Sequence, residues 1–94
     1  MNLKFEWDTV KAASNLRKHG VSFEEASTVF SNPLAKIFLD KEHSISEDRE
    51  FIIGDSILGR LLIVYYTERD EGLIRIIGAR KTTRRERNDY EENP

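Results

Sequence analysis

The chain has 94 residues, with 15 Lys and Arg against 17 Asp and Glu and a formal net charge of −2. This length predicts a single domain over residues 1–94 with one hydrophobic core. The absence of cysteine excludes disulfides, thiol nucleophiles and thiolate metal sites, and we expect a cytoplasmic protein. The N-terminus lacks an apolar signal segment, and the longest apolar run, Leu61 to Tyr66, is far below the roughly 20 residues that span a bilayer, so no membrane role is expected.

The N-terminal third is predicted to form a short strand at residues 4–7 and two helices. The first helix covers Thr9 to Lys18, because Asp8 can cap its start and Gly20 can end it in the left-handed conformation. The apolar residues on one face of this helix are Val10, Ala13 and Leu16.

The second helix is predicted to begin after Ser22. Glu25 stands three residues later, which is the spacing of a reciprocal capping box, and Asn32-Pro33 ends the helix. One stripe of this helix is apolar and is assigned to the core: Phe23, Ala26, Val29 and Phe30.

The rest of the chain is predicted to be mainly strands. The predicted strands are residues 34–39, 51–53, 61–67 and 73–81, with a polar segment at 40–50. The last three strands form an antiparallel meander, and the run from Leu61 to Tyr66 lacks alternation, which indicates a central strand covered on both faces. The predicted fold class is α+β, ordered β-α-α-β-β-β-β-α, with two N-terminal helices and a C-terminal helix around a small, mainly antiparallel sheet.

A last helix is predicted from the capping-box spacing of Thr83 and Glu86 to Glu92. Its first turn is basic and its last turn is acidic, and the helix dipole disfavours each such charge by about 0.3–1 kcal/mol. Tyr90 is its one residue with a large apolar body. We therefore expect a ligand or partner to hold this helix in place.

Residues 75–87 form a basic segment that contains six Lys or Arg and one acid, Glu86. The whole chain is slightly acidic, so the positive charge is local and favours a cleft over a broad nucleic-acid-binding surface. Arginine binds phosphate oxygens bidentately. The segment therefore predicts a phosphate-bearing ligand, with nucleic acid as the leading candidate.

Arg75 and Arg80 are five residues apart, and in a regular strand they would point to opposite faces. Gly78 lies between them and can host a β-bulge, which would return both arginines to one face. The alternative is that one arginine binds the ligand while the other pairs with a carboxylate.

No zinc-binding His pair, phosphate-binding glycine loop or nucleophile elbow occurs in the sequence, so no cofactor or metal is predicted. Metal-free cleavage of RNA fits the residues that are present, because RNA carries its own nucleophile, the 2′-hydroxyl. The protein then needs to orient that group, transfer protons and stabilise charge at phosphorus.

Two long blocks of the sequence resemble the BrnT toxin family of type II toxin-antitoxin systems. The blocks are Lys18-His19-Gly20-Val21-Ser22-Phe23-Glu24-Glu25-Ala26 and Arg75-Ile76-Ile77-Gly78-Ala79-Arg80, with further matches at Phe5 to Asp8, Lys11, Ala12, Asn15, Val29, Phe30, Pro33, Glu86, Arg87 and Tyr90. The resemblance implies a RelE-like fold and a ribonuclease that arrests translation. It also implies a heterotetrameric complex with a BrnA-like antitoxin, whose ribbon-helix-helix domain makes the contacts to DNA.

The resemblance also suggests roles for individual residues. Arg75 and Arg80 are placed on the scissile phosphate, and His19 or Tyr90 is a candidate for proton transfer. The full set of candidate catalytic residues is Lys18, His19, Arg75, Arg80, Glu86 and Tyr90. The candidate RNA-binding residues are Arg49, Lys81, Arg84, Arg85 and Arg87.

The basic segment also fits a second class of protein, a non-catalytic binding module or co-repressor that docks an acidic partner. Each of these residues also has a purely structural interpretation. Lys18 and His19 can stabilise a helix C-terminus, Tyr90 can pack on the sheet, and Arg84 and Arg85 can be solvated residues at a helix start. Loss of RNA integrity in the presence of a chelator would separate the enzyme from the binding module.

Overall fold

The computed structural model of the chain describes residues 2–43 and 48–92. Residues 44–47 of the predicted polar segment lie outside the described residues. The elements are β1 (Lys4–Glu6), α1 (Thr9–His19), α2 (Phe23–Thr28) with a 3-10 turn (Val29–Ser31), β2 (Lys36–Leu39), a 3-10 turn (Lys41–His43), β3 (Glu50–Asp55), β4 (Leu61–Asp70), β5 (Leu73–Lys81) and α3 (Arg84–Glu92). The predicted α+β class and element order are confirmed. Within the described ranges, no helix is both long and apolar enough to cross a membrane.

The strands form one sheet in the order β1-β5-β4-β3-β2. β2 to β5 are an antiparallel meander, as predicted, and β1 joins the free edge of β5 in parallel, with Glu6 beside Arg75. The sheet therefore brings the N-terminal strand next to the basic segment.

Helix α1 starts at Thr9 as predicted and ends at His19, one residue later than predicted, with the predicted cap residues at both ends. The Asp8 carboxylate accepts hydrogen bonds from the backbone N–H groups of Val10 and Lys11, at 2.8 and 3.0 Å, and these bonds lower the pKa of Asp8. Gly20 ends the helix with φ of 69°. The predicted apolar face of α1 is not buried, however, because Val10 and Leu16 are 75% and 51% exposed.

Only half of the predicted capping box of α2 forms. Ser22 Oγ accepts a hydrogen bond from the Glu25 N–H at 3.0 Å. The Glu25 side chain does not return the bond in the predicted box, because it is buried and pairs instead with Arg60 and with Ser56 Oγ, the latter at 2.7 Å. Arg60 in turn donates to Gly20 O at 3.0 Å and holds the α1–α2 loop against the β3–β4 turn. The Arg60 guanidinium lowers the pKa of Glu25.

Both faces of β4 are buried, which confirms the prediction of a central covered strand. The face toward α1 and α2 carries Leu62, Val64 and Tyr66, and these pack with the predicted α2 stripe of Phe23, Ala26 and Val29. The opposite face carries Leu61 and Ile63, which form a smaller cluster with Ile53, Phe51, Tyr65 and Tyr90. Tyr90 belongs to α3, so α3 lies on this second face and a groove opens beside it.

Candidate functional site

A β-bulge lies in β5 where the sequence predicted one. Tyr65 of β4 is opposite Gly78, but the next residue, Tyr66, is opposite Ile76, so Ile77 is the extra residue of β5. The bulge therefore sits next to Gly78 and is confirmed.

The bulge places Arg75 and Arg80 on the same face of the sheet. Arg75 is opposite Thr67 and Arg80 is opposite Ile63, and those two β4 residues are four apart on a strand whose side chains alternate. Ile63 belongs to the cluster beneath α3, so both arginines lie on the α3 face. At about 3.3 Å per strand residue, their Cα atoms are on the order of 15 Å apart, which is too far for both to hold one phosphate oxygen pair without long side-chain reach.

The Arg80 side chain is held by residues of two other elements, α3 and β4. Its two terminal nitrogens donate to the two carboxylate oxygens of Glu86, at 2.8 and 2.9 Å, and one of them also donates to Tyr65 Oη at 3.3 Å. The ion pair raises the pKa of Arg80, and it lowers the pKa of Glu86 to about 2. The guanidinium is therefore fixed in orientation, with its bidentate side occupied by a carboxylate.

Glu86 also completes the capping box of α3 that the sequence predicted. Its Oε1 accepts a hydrogen bond from the Thr83 N–H at 2.8 Å, and Thr83 Oγ1 accepts one from the Glu86 N–H at 3.1 Å. One carboxylate thus caps α3 and ties it to the end of β5.

The second anchor of α3 is Tyr90. Its hydroxyl donates to Leu34 O at 2.9 Å, and its backbone carbonyl accepts a hydrogen bond from Lys36 Nζ at 3.3 Å. Burial raises the pKa of Tyr90. With Glu86 and Tyr90 both bonded to the sheet, the expectation that only a ligand or partner can hold α3 is wrong.

Arg75 is also paired. Its Nη1 lies 2.9 Å from Glu6 Oε2, and both side chains remain more than one third exposed. Opposite Arg75, the buried Thr67 hydroxyl has no hydrogen-bond partner within the described part of the chain. Both arginines therefore have a carboxylate partner. The alternative interpretation had given a carboxylate partner to only one of the two arginines.

The side chains of Arg80, Glu86 and Tyr65 form what we call the Arg80 cluster. Lys18 and His19 lie in a different place. They line a shallow depression at the C-terminal end of α1 together with Lys11, Asn15 and the bulge residue Ile77, among others. Asn15 fixes this arrangement, because its side chain donates to Ala79 O at 2.8 Å and accepts from Ala79 N at 3.1 Å. The structure thus separates Lys18 and His19, which lie at the bulge, from Arg80 and Glu86 near the end of β5.

Only some of the predicted RNA-binding residues lie near the Arg80 cluster. Lys81, Arg84 and Arg85 are exposed at the end of β5 and the first turn of α3. Arg87 lies 3.5 Å from Glu91 in an exposed ion pair. Arg49 is partly buried just before β3, and its backbone carbonyl accepts a hydrogen bond from Asp40 N.

The sequence did not identify the groove beside α3. It has a volume of about 480 Å³, and its lining includes both anchors of α3 and side chains of three strands. The lining residues are Lys36, Phe38, Phe51, Ile53, Ile63, Tyr65, Glu86, Asp89 and Tyr90. The register of β4 on β5 would have been needed to find Tyr65, because that register places Tyr65 opposite Gly78, two residues before Arg80 on β5.

Metal ligands are not grouped in the described residues: no three His, Asp or Glu side chains there are placed to hold an ion together. The metal requirement of any reaction stays a prediction that needs a direct test.

Comparison with known proteins identifies the family. A family model described as the ribonuclease toxin BrnT of type II toxin-antitoxin systems matches residues 7–86, which include every candidate catalytic and RNA-binding residue except Arg87 and Tyr90. The crystal structure of the ribonuclease toxin BrnT of Brucella abortus has a similar fold, with a TM-score of 0.67 at 24% sequence identity over 88% of this chain and 100% of that one. No curated protein matches. Because the family model spans most of the chain, this protein belongs to the BrnT ribonuclease toxin family of type II toxin-antitoxin systems.

Proposed function

We propose that this chain is an endoribonuclease toxin that cleaves cytoplasmic RNA without a metal ion, through attack by the RNA's own 2′-hydroxyl, and so arrests translation. The observation that carries this proposal is the bidentate pair of Arg80 and Glu86 at the groove beside α3. A guanidinium held in this way presents the geometry that binds two oxygens of a phosphodiester.

In the free protein, Glu86 occupies the position that a phosphate would take on Arg80. A phosphodiester carries the same charge as a carboxylate, so RNA can displace Glu86 from the guanidinium. Once displaced, Glu86 loses the cation that holds its pKa at about 2, and its pKa rises. Glu86 then becomes a stronger base, next to the phosphate, and can accept the proton of the 2′-hydroxyl.

The remaining steps balance without a cofactor. The 2′-oxygen forms a bond to phosphorus, the bond from phosphorus to the 5′-oxygen breaks, and the leaving 5′-oxygen takes a proton. Tyr90 is our candidate for the acid, because a tyrosine hydroxyl carries its proton at neutral pH and Tyr90 lines the same groove as Glu86. To act as the acid, its hydroxyl must turn from Leu34 O to the leaving oxygen. Arg80 stabilises the charge that develops at phosphorus. The products are a 2′,3′-cyclic phosphate and a 5′-hydroxyl.

The other cations are assigned to RNA binding outside the scissile phosphate. Ile77, which lines the depression with Lys18 and His19, is about 10 Å from Arg80 along β5 at the usual rise per residue. We assign Lys18, His19 and Arg75 to phosphates on one side of the scissile bond. Lys81, Arg84, Arg85, Arg87 and Arg49 are assigned to the rest of the RNA backbone.

The partner that we propose is a BrnA-like antitoxin with a ribbon-helix-helix domain, in a heterotetramer that binds DNA only through the antitoxin. If the antitoxin neutralises the toxin by covering the Arg80 cluster, RNA and antitoxin must compete. Higher salt should then weaken RNA binding more than an apolar antitoxin interface.

The direct test is incubation of the purified toxin with RNA in the presence of EDTA. We expect cleavage with 2′,3′-cyclic phosphate or 3′-phosphate ends, and resistance of a substrate with a 2′-deoxy nucleotide at the scissile position. Products with 5′-phosphates, or loss of activity with EDTA, would rule out this mechanism.

The alternative, a non-catalytic binding module, is favoured by one observation, the carboxylate partners of Arg75 and Arg80, since these show that the site accepts acidic side chains. Intact RNA after incubation with folded, antitoxin-free protein, together with tight binding of an acidic segment, would support that module instead.

A further inference from the structure

Three aromatic rings lie in register across three neighbouring strands on the α3 face of the sheet. Phe38 of β2 is directly opposite Phe51 of β3, and Phe51 is directly opposite Tyr65 of β4. The ring centres of Phe38 and Phe51 are 5.1 Å apart with planes at 21°, and those of Phe51 and Tyr65 are 5.7 Å apart with planes at 49°. We call Phe38, Phe51 and Tyr65 the aromatic row.

The aromatic row forms one wall of the groove beside α3, and the rings are only partly buried. Phe38 is 41% exposed, and Phe51 and Tyr65 are half-buried. The groove volume of about 480 Å³ is in the range that holds small organic ligands. Aromatic faces that remain open to such a groove can stack on a flat ring from a ligand.

Cations stand at both ends of the aromatic row. At the β4 end, Tyr65 Oη accepts a hydrogen bond from Arg80 at 3.3 Å, so the last ring is adjacent to the proposed phosphate-binding group. At the β2 end, Lys36 Nζ lies in the groove lining, 5.1 Å from the centre of the Tyr90 ring. The lining also contains two acids, Glu86, which is paired with Arg80, and Asp89 in the middle of α3. This arrangement is complementary to a nucleic acid strand, because the rings can stack on its flat bases and the two cations can bind its phosphates.

We propose that the aromatic row is a stacking platform for the bases of single-stranded RNA next to the scissile phosphate. This inference rests on the proposed ribonuclease function and specifies its substrate as unpaired RNA, because bases in a duplex cannot stack on protein rings. Stacking on aromatic side chains tolerates every base, so the platform would position RNA with little sequence preference.

The test uses binding and cleavage separately. The probe is a fluorescein-labelled 10-nucleotide RNA of randomised sequence, and the comparison probe is an abasic ribose-phosphate chain of the same length. Binding is measured by fluorescence anisotropy with the 2′-deoxy counterparts of both probes, which lack the attacking 2′-hydroxyl and so resist cleavage. The values of kcat and KM are measured with the all-ribose RNA. The proteins are wild type, Phe51→Leu, which keeps an apolar side chain but no ring, and Ile57→Ala as a control at an exposed site in the β3–β4 turn.

We expect Phe51→Leu to weaken binding of the base-containing probe about tenfold, to raise KM and to leave kcat nearly unchanged. The abasic probe should bind wild type and Phe51→Leu equally, because neither complex contains stacked bases. Ile57→Ala should behave as wild type with both probes. Phe38→Leu, at the exposed edge of the row, provides a second variant if Phe51→Leu does not fold.

Equal binding of the base-containing probe by wild type and Phe51→Leu would overturn the platform. Weaker binding of the antitoxin by Phe51→Leu with unchanged RNA binding would also overturn it, because the groove would then receive side chains of the antitoxin. Failure of the proposed function gives a different result. In that case wild type would show the expected base-dependent binding but would not cleave the all-ribose probe.

Discussion

Arg80 and Glu86 form a bidentate ion pair that joins the end of β5 to the first turn of α3, with both contacts within 2.9 Å. The pair links the proposed phosphate-binding group to the anchoring of the helix. We therefore expect loss of the pair to affect both stability and RNA cleavage, and experiments on the site need variants that separate the two effects.

Replacing Arg80 should abolish cleavage at a modest cost in stability. We expect Arg80→Ala to lower kcat by roughly 100-fold or more, because a preorganised donor to the reacting phosphate is lost. The partly exposed pair contributes about 1 kcal/mol or less to folding, so the fold should remain. Cleavage assays and thermal melts followed by circular dichroism measure the two effects.

Arg80→Lys and Arg17→Ala are the matched variants for that experiment. Lysine keeps the charge but not the fork, so Arg80→Lys should regain stability and stay slow. Arg17 is exposed in the last turn of α1, and its removal should change neither property. Cleavage by folded Arg80→Ala at the wild-type rate would remove Arg80 from the site.

The stability of the protein should fall in acid partly through Glu86. Its pKa is about 2 in the folded protein against an ordinary 4.5, so its pairing stabilises the fold above pH 4.5, and this contribution is lost as the pH falls toward 2. We expect the free energy of unfolding of wild type to exceed that of Glu86→Gln by a constant amount at pH 5 to 7, and the two to converge below pH 4. Urea titrations at each pH test this, and a difference that does not change with pH would show that the charge of Glu86 is not involved.

Glu86→Gln should also separate RNA binding from chemistry. The neutral amide competes less strongly than a carboxylate for Arg80, so RNA should bind more tightly. The base is lost, so kcat should fall by about 100-fold or more. Anisotropy with a 2′-deoxy probe gives the affinity and cleavage of RNA gives kcat. A variant that binds more tightly and cleaves at the wild-type rate would limit Glu86 to holding Arg80 and α3.

The helices and strands were predictable because their signals are local. Asp8 and Gly20 set the two ends of α1, and Thr83 with Glu86 sets the start of α3. Each of these residues acts on backbone groups no more than four residues away in the sequence. The partners of Glu25 and Tyr90 were not predictable, because Arg60 and Leu34 lie 35 and 56 residues away in sequence. Capping-box spacing alone could not show that Glu25 turns away to a buried ion pair while Glu86 serves both purposes.

The candidate site was predictable in part for the same reason. The odd separation of Arg75 and Arg80 with Gly78 between them was enough to predict the bulge. The position of Tyr65 next to Arg80 depends on how β4 is aligned with β5, which no single segment determines. The open groove likewise depends on where α3 packs.

Two glycines of the sheet should respond oppositely to alanine. A Cβ on Gly54 would lie 2.7 Å from Ala35 Cβ, so Gly54→Ala should destabilise the protein by about 1–3 kcal/mol through overpacking. A Cβ on Gly78 meets only Asn15 Oδ1, at 3.8 Å, and Gly78→Ala should be neutral or stabilising by about 0.5–1 kcal/mol. Urea unfolding of both variants measures this, and a strongly destabilised Gly78→Ala would mean that the bulge requires glycine.

Tyr90→Phe tests whether Tyr90 is an acid or only an anchor. The change removes the hydrogen bond to Leu34 O and keeps the ring in the apolar cluster, so the last turn of α3 should lose about 0.5–1.5 kcal/mol of protection in hydrogen exchange. The first turn, held by Glu86, should keep its protection because its ion pair is intact.

If Tyr90 protonates the leaving oxygen, kcat of Tyr90→Phe should also fall by about 100-fold or more while RNA affinity stays the same. Leu34→Ala is the matched control, because it keeps the backbone carbonyl that accepts the Tyr90 bond and should leave both measurements unchanged. Faster exchange with an unchanged kcat would assign Tyr90 to holding the helix and leave the proton donor to be sought at His19 or Lys18.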